Sequence, residues 1–373
     1  MKPTPRVVGA VALWLVLEWY GATSEVSWLF LLGAWVAALV VVCAAYAWWN
    51  RSGLLLHLSV AAVRRGEGSP VEQLPDNLLA HGPLPEPVFE GDGLDLEVGL
   101  DAPRGPRGPA WVSGSVAGRR IQLGVGLVPR TGWRATQSLG AARRGVIGAS
   151  GWRIGTSDPL AFFAGTRACA DGEIALVLPR FASLRERHEA RELEASVAAP
   201  RSGAGSEMFG VREYRPGDSL RRIHWRSSAR HGELVVREYE PPGLRTLAIL
   251  LDPAPPSTEL ADQVARLAAS EAWDCVRDGG RVALWAPGAE PVNPTRDLWS
   301  VLEWLARYPD AASDGSAATS PPREEEVVVV TASSNVDLVE AAELSRHRRG
   351  WVVGDAEVTT DVPLERVGTQ WPL

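Results

Sequence analysis

From Val7 to Asn50 the chain carries only two charged residues, Glu18 and Glu25. No other feature constrains the fold as much. A single helix crossing a bilayer needs only about 20 apolar residues, so a run of this length predicts two spans and a tight link. The spans are expected at residues 7–21 and 28–49, joined through Thr23, Ser24 and Glu25. Trp14, Trp19, Tyr20, Trp28, Trp48 and Trp49 gather mostly toward the span ends, as an aromatic belt does. Lys2 and Arg6 precede the first span, Arg51, Arg64 and Arg65 follow the second, and the link has no basic residue. That asymmetry predicts both ends in the cytoplasm: a two-pass protein of the cell (inner or plasma) membrane, its soluble domains cytoplasmic and the lipid bilayer a partner. A cleaved signal peptide is the competing reading, and the second apolar run that follows at once argues against it. Glu18 falls in the outer half of its span, within reach of the interface, and neither span offers it a basic partner.

The length of 373 residues is enough for two or three domains. A net charge of −7 argues against nucleic acid as a bulk partner. Cys43, Cys169 and Cys275 are scattered, with no C-x-x-C spacing, which argues against a disulfide framework or a zinc site and fits a reducing compartment. Lys2 is the only lysine, so the preference for Arg reflects codon usage as readily as a need for bidentate contacts.

Residues 51–86 read as a linker, rich in Gly, Pro and charge from Arg64 onward. A β pattern follows. Leu94, Leu96, Val98 and Leu100 alternate with Asp95, Glu97 and Gly99, and Ile121, Leu123, Val125 and Leu127 alternate with Gln122, Gly124 and Gly126. Short strands at this spacing, separated by Gly, Pro and Asp, predict an antiparallel β-sandwich over 87–180. Residues 181–207 read as a charged, helix-prone connector. Beyond Pro242 strand and helix alternate: strands at 247–251, 281–285, 327–330 and 351–353, helices at 258–277, 295–307 and 336–346. On the first of these helices Leu260, Val264, Leu267, Ala268, Glu271 and Cys275 share one broad, mostly apolar face. Buried strands alternating with helices predict a mainly parallel sheet covered on both sides. The fold class expected is multidomain α+β, ending in an α/β (Rossmann-like) domain within 208–373.

The most concentrated chemistry lies between Arg212 and Arg237. Arg212, Arg215, Arg221, Arg222, Arg226, Arg230 and Arg237 alternate with Glu213, Asp218 and Glu233, and with Tyr214, His224, Trp225 and His231. Arg215-Pro216-Gly217-Asp218 carries turn chemistry, and Asp218 or Ser219 can cap a short helix. The run REYRPGDSLRRIHWRSSARHGELVVREYE from Arg212 to Glu240 resembles the signature of the bacterial domain-of-unknown-function family 58. Shorter echoes are Arg143-Arg144-Gly145-Val146, the run from Ser157 to Phe163, and Leu176-Val177-Leu178-Pro179-Arg180. The resemblance implies that the α/β domain is von Willebrand A-like. It also implies partners: a MoxR-type AAA+ ATPase and other membrane proteins of von Willebrand A or transglutaminase-like type.

A von Willebrand A-like fold often holds a divalent cation at a D-x-S-x-S loop after its first strand, where hard oxygen ligands converge. Here that loop is Asp252-Pro253-Ala254-Pro255-Pro256-Ser257, with Ala254 and Pro256 at the two serine positions. The expectation is a degenerate site at Asp252, no metal and no cofactor. Three readings stand for the Arg-rich stretch: an interdomain clamp of Arg–carboxylate pairs, an anion or acidic-partner surface, and an enzyme centre using His224 or His231. No G-x-S-x-G, P-loop or Cys–His set accompanies it. The function expected is a non-enzymatic adaptor or scaffold in complex or envelope assembly; the alternative is a ligand-binding protein or enzyme using residues 212–237.

Overall fold

The computed structural model describes residues 2–24, 26–80, 82, 86–190, 228, 245–288, 290–310, 324, 326–334, 338, 342, 345, 347–358 and 360–372, and the backbone of 210–213 and 235–238. The chain divides into two compact units, Met1–Pro179 and Arg180–Leu373.

The first unit begins with strand β1 (Lys2–Pro3) and helices α1 (Pro5–Ser24) and α2 (Ser27–Arg51). Both helices are long and apolar enough to cross a membrane. At 1.5 Å per residue α1 alone spans about 30 Å, the thickness of a hydrocarbon core. Their large apolar side chains face outward: Trp19 is 68% exposed and Trp35, in the middle of α2, 75%. So continuous an apolar surface marks a membrane or protein interaction face.

The β part of this unit is two sheets. Strands β2 (Leu55–Arg64), β4 (Gly93–Asp101) and β7 (Trp133–Ala141) form one. The other contains β1, β3 (Val88–Phe89), β5 (Ala110–Val116), β6 (Arg119–Val125), β8 (Gly145–Ser157), β9 (Phe163–Ala168) and β10 (Gly172–Leu178). Residues of both sheets fill one core. Leu94, Leu96, Val98 and Leu100 all point into it, as the alternation predicts, each burial stabilising by roughly 1.5–3 kcal/mol. Trp152 lies over Gly114 of the neighbouring strand, where a Cβ would come within 2.3 Å of the indole. A bare glycine backbone is what lets the ring lie flat there.

Two expectations need correction. Residues 51–86 are not only a linker: β2 runs through them, its Leu56, Leu58, Val60 and Ala62 packed on the core and its full length paired with β4. The sheets are also not wholly antiparallel, since β3 pairs parallel to β10 through Val88↔Val177 and Phe89↔Leu178.

The hairpin is fixed to the β structure at both ends. Before α1, Lys2 and Pro3 pair with Ala164 and Phe163, and the Thr4 hydroxyl donates to the Ala161 carbonyl at 2.7 Å. In the last turn of α2, Asn50 is fully buried; its Nδ2 donates to the Ser157 and Pro109 carbonyls, and its Oδ1 accepts from the Gly108 amide at 2.9 Å. Tyr46 donates to the Gly108 carbonyl at 2.6 Å. Gly108 itself has φ +156°, and a Cβ there would lie 2.3 Å from the Gly126 carbonyl. The two outer ends of the hairpin therefore share one side, and Ser24 and Ser27, the inner ends of the two helices, lie at the far end. Asn50→Ala takes a partner from the Gly108 amide and from the Ser157 and Pro109 carbonyls, and should cost the full chain about 2–3 kcal/mol of stability. Hydrogen exchange checks it: the Gly108 amide should lose protection first, and unchanged protection would mean that the junction does not depend on Asn50.

In the second unit, strands β11 (Gly210–Glu213) and β12 (Val235–Glu238) pair antiparallel by themselves. The main sheet runs β15 (Val292–Thr295), β14 (Arg281–Trp285), β13 (Thr246–Leu251), β16 (Glu326–Thr331), β17 (His347–Val353), β18 (Leu364–Val367). All its pairings are parallel except that of edge strand β15 with β14. A short helix α3 (Asp76–Leu79) belongs to the first unit; here the long helices are α4 (Thr258–Arg277) and α5 (Leu298–Arg307). Ser257 caps α4 by accepting from the Leu260 amide, Arg277 lies in its last turn, and Gly279, at φ +84°, ends it. Asp297 caps α5 through the Trp299 amide. The expected helix over 336–346 lies mostly outside the described residues; Leu338 and Ala342 are helical and buried.

The expected connector over 181–207 starts as part of this unit. Phe181 and Leu184 are buried, the Ala182 amide donates to Ser270 Oγ, and the Leu184 amide donates to Asp274 Oδ2 at 2.7 Å. Residues 185–190 are helical.

Candidate functional site

Open α/β sheets bind ligands at the carboxyl ends of their strands, where the strand order reverses. Here the chain moves from β13 outward to β14 and β15, then returns to β16, so the reversal falls between β13 and β16. Asp252 follows β13 at that point and is fully buried. Its Oδ1 accepts from the Ala254 amide at 3.0 Å. Its Oδ2 accepts from the Ala332 amide at 3.1 Å and the Ser333 hydroxyl at 2.6 Å. The Thr331 hydroxyl, also 3.1 Å from Oδ2, shares its proton with the Ser333 carbonyl. Tyr308 donates to the Asp252 carbonyl.

A divalent cation does not fit this arrangement. It would need the carboxylate lone pairs that protein N–H and O–H groups already use, and further oxygens that Ala254 and Pro256 lack. Ser257 is occupied as the cap of α4. Among the described residues no group of three or more His, Cys, Asp or Glu is placed to hold a metal. Asp252 instead ties the β13 and β16 loops together.

A second concave feature lies at the amino ends of the same strands. A cavity of about 460 Å³ is lined by charged groups, among them Arg185, His188, Arg245, Glu271, Glu326 and Arg349, with Cys275 beside them. Its centre is Glu271, 1% exposed in the middle of α4. Trp351 Nε1 donates to its Oε1 at 2.7 Å, Arg349 Nη2 to its Oε2 at 2.8 Å, and His188 Nε2 stands 3.4 Å from Oε1. Arg349 also reaches Glu326 at 2.5 Å, and Arg245 pairs with the other Glu326 oxygen at 3.1 Å. Burial would push the Glu271 carboxyl up; His188 and the Arg349 guanidinium outweigh it and hold the pKa at about 2. Burial would likewise lower the Arg349 pKa, but Glu271 and Glu326 raise it. Burial, with Glu326 nearby, pushes the Cys275 thiol up to about 11. The thiol is therefore protonated at neutral pH and a weak nucleophile. A carboxylate held this low is also a weak base. Most of the charges pair with one another, with His188 Nε2 and Arg349 Nε left without a hydrogen bond, an arrangement that suits rigid structure or recognition better than proton transfer.

Sequence reasoning put Glu271 on an apolar helix face without assigning it a role, and it missed His188 and Arg349. The lone carboxylate on that face was the available signal. Of the residues singled out in the Arg-rich stretch, Tyr214, Arg215, Asp218, Arg221, Arg222, His224, Trp225, Arg226, Arg230 and Glu233 lie outside the described residues. Arg212 and Arg237 lie on β11 and β12, in neighbouring registers opposite Val236 and Val211. Ser228 is buried.

Residues 210–349 match the family model described as Protein of unknown function DUF58. That segment is similar to the DUF58 family. The matched segment contains Asp252, Glu271, Glu326 and Arg349, while Arg185 and His188 of the cavity precede it. The chain is similar to the uncharacterized protein YeaD of Bacillus subtilis (strain 168), 28% identical over 142 residues. That match covers 37% of this chain and 35% of YeaD, so about a third of the relative's length is spanned. No solved structure matches.

Proposed function

We propose that this protein is a membrane-anchored, non-enzymatic adaptor or scaffold whose soluble units face the cytoplasm. The observation that carries the proposal is the outward-facing apolar hairpin tied at both ends to the first unit's β structure. It supports two membrane passes with the flanking segments on one side, and Lys2, Arg6 and Arg51 at those ends favour the cytoplasmic side. Two sheets around one core support a β-sandwich for the first unit. The strand order of the second, with its antiparallel edge strand and Asp252 at the reversal, supports a degenerate von Willebrand A-like domain. The partners that the family resemblance implies, a MoxR-type AAA+ ATPase and membrane proteins of von Willebrand A or transglutaminase-like type, are part of the proposal. So is a role in complex or envelope assembly. The mutually paired charges around Glu271 favour a scaffold over an enzyme. The topology is tested by fusing alkaline phosphatase, which is active only outside the cytoplasm, after Leu373. The fusion should be silent while a cytoplasmic reporter at the same position is active; the reverse pattern would overturn the orientation. Affinity capture from solubilised membranes tests the partner, and recovery without any AAA+ ATPase would remove that part of the reading.

A further inference from the structure

Where α2 leaves the hairpin, cations gather without anions. A Cβ at Gly53 would lie 3.7 Å from both Arg104 Cδ and Arg107 Nη2. One at Gly105 would lie 3.9 Å from Arg130 Nε and 4.0 Å from Arg107 Nη1. Arg51 ends α2 two residues before Gly53. Among the described residues no carboxylate is within ion-pair distance of any of these four arginines. Arg107 is 2% exposed. Its guanidinium lies 3.4 Å from the Trp49 ring centroid, and its remaining contacts are weak hydrogen bonds at 3.4 Å to the carbonyls of Ser52 and Pro106. A buried cation held only by a ring and carbonyls lacks the anion that normally offsets its desolvation.

The surroundings indicate which anion. Trp49 and the outward-facing Trp48 belong to the end of the apolar hairpin, the depth at which indoles meet lipid headgroups. Arg107 is bridged to Val128, and the adjoining Leu127 is 60% exposed beside Arg130. A loop that presents an exposed leucine next to an unpaired arginine has an apolar element for the acyl boundary and a charge for the phosphate.

We propose that Arg104, Arg107 and Arg130, with Arg51, form a binding site for the phosphate of an anionic phospholipid headgroup at the base of the hairpin. Arg107 is held in place by Trp49, while the exposed Arg104 and Arg130 close on the phosphate from the loops at 102–109 and 126–132. The inference rests on the membrane anchoring proposed above and adds the class of lipid that the anchor selects. Two arginines beside a charged lipid surface contribute about five-fold each, or roughly twenty-five-fold together.

The test uses the full chain, purified in a neutral detergent and stripped of lipid. It is titrated with phosphatidylglycerol or phosphatidylcholine, and retained lipid is counted by native mass spectrometry. The wild type should retain phosphatidylglycerol at least ten-fold better than phosphatidylcholine. The R104Q/R130Q variant, its melting temperature unchanged because both side chains are exposed, should lose most of that preference. Inorganic phosphate at millimolar concentration, added as competitor, distinguishes a free anion from a lipid headgroup. It should displace little phosphatidylglycerol, because it lacks the acyl chains that Leu127 and Trp48 meet. Equal retention of the two lipids, an undiminished preference in a folded R104Q/R130Q, or complete displacement by inorganic phosphate would each overturn the lipid site. Resistance of the wild type to alkaline carbonate extraction from membranes is read separately. Its failure would sink the anchoring itself, whereas a carbonate-resistant protein without lipid preference would sink only this site.

Discussion

Glu271→Ala should lower the stability of the full chain by about 3–5 kcal/mol, the largest effect expected from any single substitution described above. The change leaves Arg349 with Glu326 alone, takes the acceptor from the buried Trp351 N–H, and opens a hole in the middle of α4. The melting temperature of the second unit should fall by roughly 10 °C. The same network sets an acid limit. The Glu271 pKa is lowered from the ordinary value of 4.5 to about 2, so its contribution is fully present above pH 4.5 and is lost as pH falls toward 2. That contribution is about 3 kcal/mol. The stability gap between wild type and Glu271→Ala should therefore be constant at neutral pH and close below pH 4.5. A gap that stays open down to pH 2.5 would mean that the carboxylate charge is not what holds the network.

Asp252→Ala should cost about 3–4 kcal/mol, because it orphans the Ala254 and Ala332 amides and the Ser333 hydroxyl between β13 and β16. Asp252→Asn is expected to be nearly as damaging. Its NH₂ group must face a donor whichever way the amide is turned. Magnesium, manganese or calcium at millimolar concentration should leave the melting temperature of the wild type unchanged, since a ligand stabilises only the state that binds it. A rise of several degrees with cation, absent in Asp252→Ala, would show that the carboxylate turns from its protein donors to a metal and would overturn the reading of this loop as a tie.

What could be read from the sequence was local in character. The alternation of Leu94, Leu96, Val98 and Leu100, the apolar hairpin and the helix over 258–277 each depend on neighbours within a few residues, and each is where the spacing puts it. Strand β2 carries the same kind of alternation at Leu56, Leu58 and Val60, but the Gly, Pro and charge after Arg64 coloured the whole of 51–86 as a linker. Phe181 and Leu184 fall in the stretch that reads as a charged connector, and their partners, Trp273 and the rest of α4, come much later in the chain. The network at Glu271 is the extreme case. Arg349 and Trp351 meet it across 78 and 80 residues, and no periodicity within a single element encodes that meeting. Arg349 in particular stands on a parallel strand opposite Val328, with nothing nearby in sequence to mark it.

Asn50 and β1 together give the hairpin the mechanics of a pedestal. A domain hung from one helix by a loose strand can swivel, and every encounter must wait for the right heading. Here the strand before α1 and the last turn of α2 both grip the β structure, so torque applied to that structure passes into the helical hairpin instead of being absorbed by a hinge. The rotational freedom that a docking partner would otherwise have to remove is already gone when the chain has folded. Under the membrane anchoring proposed above, a partner in the same plane meets one constant face, and recognition becomes a search over position alone.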